Sequence, residues 1–137
     1  MKIFKFLTLF FSFITIAVQA QPGKKIITLT AEGQPNIKFE TTNHNFDTIE
    51  EGTQATFEFT YTNTGKTPLV ITDVKPPCNC TIPVWSKEPL QPGMSAKIKV
   101  TYDSKGKPAG HFKKTISVSH NGESMNDLIT IEGVIKI

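Results

Sequence analysis

The chain has 137 residues and a formal net charge of +3, its basic residues all lysine with no arginine. That length suits one domain of sandwich size and is far short of a barrel enzyme of about 250 residues, and no glycine-rich nucleotide loop is present. A nucleic-acid interface calls for a basic excess and bidentate arginines, so that class is disfavoured.

Residues 1–20 read as an export signal. Lys2 and Lys5 precede an apolar run over residues 6–18, and Val18-Gln19-Ala20 places small residues where a signal peptidase cuts. The run is shorter than the roughly 20 apolar residues of a membrane span. The expectation is therefore cleavage after Ala20, a mature start at Gln21, no stable membrane span, and an exported protein, periplasmic or extracellular. Phe4, Phe6, Phe10, Phe11 and Phe13 all fall in this segment, so whole-chain composition overstates the aromatic content of the mature core.

Residues 21–36 form a lead-in with a β-branched stretch at 26–30 suited to a first strand. From 37 to 137 short alternating segments are separated by Gly, Pro, Asn and Asp. Segments 37–39 and 46–49 are short strands. In 55–62, Phe57, Phe59 and Tyr61 alternate with Glu58, Thr60 and Thr62, which puts the aromatics on a buried face. Asn63-Thr64-Gly65-Lys66 breaks that strand, and 69–74 is β-rich. Pro92-Gly93 fits the centre of a type II turn. Ala96, Ile98, Val100 and Tyr102 make a half-buried strand whose lysine-bearing outer face resists edge aggregation. Phe112, Ile116 and Val118 carry the next strand, which ends at Asn121-Gly122. The last has Ile129, Ile131, Ile135 and Ile137 on one side, with Gly133 among them marking a bulge or a close approach. Seven to eight strands at this spacing make an all-β, immunoglobulin-like antiparallel sandwich, with a small barrel as the competing architecture.

The order of Phe57-Glu58-Phe59-Thr60-Tyr61-Thr62-Asn63-Thr64-Gly65, Pro68-Leu69-Val70-Ile71, Cys78-Asn79-Cys80-Thr81-Ile82-Pro83-Val84-Trp85, Pro92-Gly93 and Val100-Thr101-Tyr102-Asp103 resembles the bacterial secreted family called domain of unknown function 1573. The resemblance runs from about residue 45 to 135. It implies an exported immunoglobulin-like sandwich of the Hydin and sperm-protein type, without established catalytic activity. Pro77 and Asn79 replace a serine and a glycine of the family's usual cysteine loop, and Asp47 stands where the family often has glycine.

Cys78-Asn79-Cys80 is the candidate for chemistry. With two cysteines in an oxidising compartment, one intramolecular disulfide can form. A turn at Asn79, which tolerates left-handed angles, would bring the pair within range. A three-residue ring yields roughly 1.6 kcal/mol in the loop-entropy model, too little to make global stability its purpose. Loop shaping, redox exchange and soft-metal capture remain open, although a closed zinc site needs four ligands. His44, His111 and His120 lack ligand-like spacing and read as solvated loop residues. No catalytic residue, metal site or cofactor is expected. Trp85, beside Ile82, Pro83 and Val84, is either a surface anchor for a partner or a cover over the end of the sandwich. Asn79-Cys80-Thr81 and Asp47-Thr48-Ile49 match short glycosylation acceptor patterns that also arise by chance.

The expected function is a non-enzymatic module that binds or supports another envelope protein or a surface glycan through its sheet edges and residues 75–88, with Cys78, Asn79, Cys80 and Trp85 as contact residues. The alternative is a small envelope redox or soft-metal-handling protein acting through Cys78 and Cys80.

Overall fold

The computed structural model describes residues 33–137; the export signal expected at 1–20 and the strand expected at 26–30 lie outside the described residues. Eight strands follow in order: β1 (Ile37–Phe39), β2 (Asn43–Glu50), β3 (Gln54–Asn63), β4 (Ile71–Lys75), β5 (Thr81–Val84), β6 (Ser95–Asp103), β7 (Gly110–His120) and β8 (Asn126–Lys136). They form two four-stranded sheets. The first has the order β1-β3-β6-β5 and the second β2-β8-β7-β4. The architecture is the expected sandwich, with one departure from antiparallel pairing: β2 runs parallel to β8. The chain crosses from the first sheet to the second after β1 without reversing direction, so β2 reaches the edge of β8 running the same way.

Period-two alternation produces the core as expected. Phe59, Ile98 and Val100 of the first sheet meet Ile116, Val118, Ile129 and Ile131 of the second, and all seven are fully excluded from solvent. Phe57 lies partly buried at the margin of this cluster. Tyr102 stacks on Phe112 between the sheets, with ring centroids 4.2 Å apart. Gly133 faces that pair, and a Cβ there would come within 2.8 Å of the Phe112 ring. The glycine therefore serves a close approach, while the irregular pairing lies in β2 between Asn45 and Thr48. There Asp47 has a φ of 56°, and its N–H donates to Asn45 Oδ1 at 2.8 Å. Asp tolerates this left-handed backbone better than most side chains. Ile137 departs from the inward row: it lies past the end of β8 and is 86% exposed.

The end of the sandwich near the start of β1 is closed by the buried amide of Asn63, the exposed amide of Asn121 and the buried imidazole of His120. Asn63, the last residue of β3, is wholly buried. It donates to Thr67 O and Leu90 O at 2.8 and 2.9 Å and accepts from Gly65 N at 2.9 Å. Only Ile71–Lys75 of the β-rich stretch pairs as a strand; Leu69 forms an isolated bridge with Leu90. Asn121 extends the ladder by mimicking a backbone unit, accepting from Val70 N at 2.8 Å through Oδ1 and donating its own N–H to Val70 O. The Gln91–Met94 turn is the expected type II, with Met94 N donating to Gln91 O at 3.1 Å and Gly93 at φ 79°.

Candidate functional site: the β4–β5 loop and edge strand β5

The opposite end carries the cysteine loop. β4 leaves the second sheet at Lys75, Pro76-Pro77 turns the chain, and β5 joins the edge of the first sheet. Cys78 and Cys80 are joined as a disulfide with their Cα atoms 5.2 Å apart. Thr81 N donates to Cys78 O at 3.2 Å, and Asp103 N donates to Cys80 O at 2.8 Å, which fastens the loop to the end of β6. The turn forms without a left-handed residue at Asn79: the described non-glycine residues with positive φ are Asp47 and Met125. The hydrogen-bonded turn from Cys78 to Thr81 supplies the closure expected of Asn79. Asn79 is the exposed tip, Cys78 is half-buried and Cys80 is buried.

Thr81 is almost wholly buried. Its hydroxyl lies 3.6 Å from Cys78 Sγ and 3.9 Å from Cys80 Sγ. A disulfide carries no hydrogen, so the hydroxyl is the donor in both contacts. The next residues alternate. Pro83 faces Val100 on the inner side, and Trp85 continues that row onto the core. Trp85 is half-buried: its ring packs against the core margin, and its indole N–H is shut from solvent with no acceptor among the described residues. Ile82 and Val84 point outward and are 48% and 58% exposed.

These two aliphatic side chains border a polar face. Thr56 and Thr101 share a hydrogen bond at 3.0 Å, Thr62 and Ser95 share one at 2.6 Å, and Lys97 reaches Glu58 at 3.1 Å. The β5–β6 register, with Asp103 N bonded to Cys80 O, turns the backbone nitrogens of Thr81 and Pro83 toward the open edge. Proline has no N–H, and that of Thr81 is taken by Cys78 O. The edge thus lacks free donors there and is poorly suited to adding another strand. Contact at β5 falls to the outward side chains.

Two of the three histidines, His44 and His120, depart from their expected solvated places. His44 lies in β2 and stacks on Phe57 with centroids 3.6 Å apart. Burial lowers its pKa below the usual histidine value, against an opposing pull from the Asp47 charge. His120 is buried at the far end, with Nε2 2.8 Å from Asp127 Oδ2 and 3.3 Å from Ser124 Oγ. This grouping has the residue types of a hydrolase triad but not its wiring. Nδ1 accepts the Gly122 N–H at 3.0 Å, so Nε2 carries the proton and donates to Asp127. No lone pair remains to take a proton from Ser124. His111 is exposed on the rim of a shallow depression of about 610 Å³ beside Asp47, Lys113 and Glu132. Among the described residues no three His, Cys, Asp or Glu side chains gather as a metal site, and no helix is long and apolar enough to cross a membrane.

The family profile described as "Protein of unknown function (DUF1573)" matches residues 37–135. The chain belongs to this family. No curated protein matches it. Among solved structures it is similar to a protein of unknown function from Porphyromonas gingivalis W83, at a TM-score of 0.68 and 18% identity, over 78% of this chain and 50% of that one. It is similar to the VesB protease of Vibrio cholerae, at a TM-score of 0.55 and 16% identity, over 76% of this chain and 32% of that one. A third likeness is the ASH/PapD-like domain 7 of human CEP192, with a TM-score of 0.54 and 13% identity, over 75% and 85% of the two chains. The chain thus spans half or less of the length of the first two. At these identities the likenesses show a shared immunoglobulin-like and PapD-like sandwich.

Proposed function

We propose that this domain is an exported, non-catalytic docking module of the cell envelope that holds another protein through the β4–β5 loop and the outer side of β5. The observation that carries the reading is the exposure of Ile82 and Val84, side by side on an otherwise polar face, directly after a loop tied by Cys78 and Cys80. Such apolar exposure beside a rigid loop favours a protein partner over a glycan, because aliphatic side chains gain by burial and offer a sugar no hydrogen bonds. The contact set is Ile82 and Val84 with Cys78 and Asn79; the buried Cys80 and half-buried Trp85 support it from beneath.

The test compares Ile82→Ser/Val84→Ser with Leu128→Ser, an exposed aliphatic change on the other sheet. Each would be used as bait in envelope extract, with captured proteins identified by mass spectrometry. A partner held by the wild type and by Leu128→Ser but lost from the double variant supports the reading. Equal capture by all three overturns it. N-terminal sequencing of the mature protein is expected to begin at Gln21, and a start at Met1 defeats the export part of the reading.

A further inference from the structure

The Thr81 hydroxyl has an unusual position for a buried polar group. It is 2% exposed, and its hydrogen-bond partners among the described residues are the two sulfurs of one disulfide. A disulfide sulfur is a weak acceptor, whereas a thiolate accepts strongly as an anion. The same hydroxyl is therefore better satisfied when the bond is open than when it is closed. Ring size points the same way. Only one residue separates the cysteines, so the closed form gains little from chain entropy and the open form loses little. The surrounding fold does not depend on the bond either: Thr81 N to Cys78 O and Asp103 N to Cys80 O hold the loop by backbone contacts. The two sulfurs also differ in access, Cys78 being half-buried at the surface and Cys80 buried against the core.

We propose that Cys78–Cys80 is an exchangeable disulfide that takes two electrons from a thiol reductant, with Cys78 Sγ as the attacked atom and Cys80 Sγ as the leaving thiolate held by the Thr81 hydroxyl. The thiolate of the reductant forms a bond to Cys78 Sγ as the Cys78–Cys80 bond breaks, and the electron pair leaves on Cys80 Sγ. A second reductant thiolate attacks the reductant sulfur of this mixed disulfide and releases Cys78 as a thiolate. Both cysteines then take protons from water. The balance is two thiols oxidised to one disulfide, and one disulfide reduced to two thiols. Thr81 acts by donating to the sulfur that carries charge, and the step requires no docked protein, so it stands apart from the partner reading above.

The folded wild-type protein would be equilibrated in glutathione buffers of varied reduced-to-oxidised ratio, quenched, alkylated and weighed by mass spectrometry. The expected result is reversible opening of the bond within the range of these buffers, since structural disulfides resist glutathione. Thr81→Val should slow the opening of the bond by glutathione, followed by quenching at successive times, about tenfold, the size of a hydrogen bond to the charged leaving sulfur, while Thr81→Ser should stay near the wild type. Cys80→Ser should form its glutathione adduct on Cys78 faster than Cys78→Ser forms one on Cys80. Melting curves of each variant establish that it is folded. A wild-type bond that stays closed at every ratio overturns the proposal without recourse to any variant. No difference between Thr81→Val and Thr81→Ser overturns the role of the hydroxyl, and faster adduct formation on Cys80 overturns the order of attack.

Discussion

The two ends of this sandwich are fastened by different chemistry. At one end Asn63, Asn121 and His120 are tied into backbone groups of neighbouring segments, with Asn63 wholly buried. At the other a disulfide of three residues, two prolines and one buried hydroxyl shape a loop that leaves Ile82 and Val84 in solvent. A buried amide such as that of Asn63 commits its end to one geometry, because each group left unpaired costs about 1–3 kcal/mol. A short covalent ring commits only its own few residues. The difference separates an end built for stability from an end free to carry contact and exchange.

The core between them sets the scale. Phe59→Ala should cost about 3–5 kcal/mol, since the ring is fully buried between the sheets. An unchanged denaturant midpoint would refute the inward register of β3. Asn63→Ala should follow at about 3 kcal/mol, as the carbonyls of Thr67 and Leu90 and the N–H of Gly65 lose their partner. A loss below about 1 kcal/mol would mean that water replaces the amide and that this end is not sealed.

The other end should yield much less. Cys78→Ser/Cys80→Ser is expected to lose about 1–2 kcal/mol on urea unfolding. A loss above about 3 kcal/mol would place the cysteines among the fold's main supports and erase the contrast. Ile82→Ser/Val84→Ser should stay within about 0.5 kcal/mol of the wild type, as changes to exposed side chains do. A larger drop would show that these side chains serve the core.

The smallest effect concerns pH. Burial holds the His44 pKa below its ordinary value of about 6.5. Between the folded and unfolded pKa values the unfolded chain binds more protons. Stability from this site is thus present above the unfolded value and is lost as pH falls through it toward the folded one. Melting temperatures of the wild type should fall more steeply than those of His44→Gln over that acid range, and parallel slopes would remove His44 from the account.

Much of this molecule can be read from its residues in order. Alternation at Phe57, Phe59 and Tyr61, and at Ala96, Ile98, Val100 and Tyr102, marks the buried faces because a strand shows its sides in turn. Pro92-Gly93 names its turn because only one backbone shape suits both residues. The proximity of Cys78 and Cys80 follows from two intervening peptide bonds. Tertiary structure decided the remainder. His44 and His120 look like loop residues until β2 lays one on Phe57 and the β7–β8 turn folds around the other. Asn63 reads as a strand breaker, yet its amide is wanted by three backbone groups that only the folded chain brings together. Gly133 and Asp47 meet across the parallel β2–β8 pairing, which no local pattern signals. Thr81 becomes a sulfur ligand, and Ile82 an exposed aliphatic, only once β5 takes its place at the sheet edge. Local chemistry determines which side of a strand is apolar, whereas the neighbour on that side is set by contacts between residues far apart in the chain.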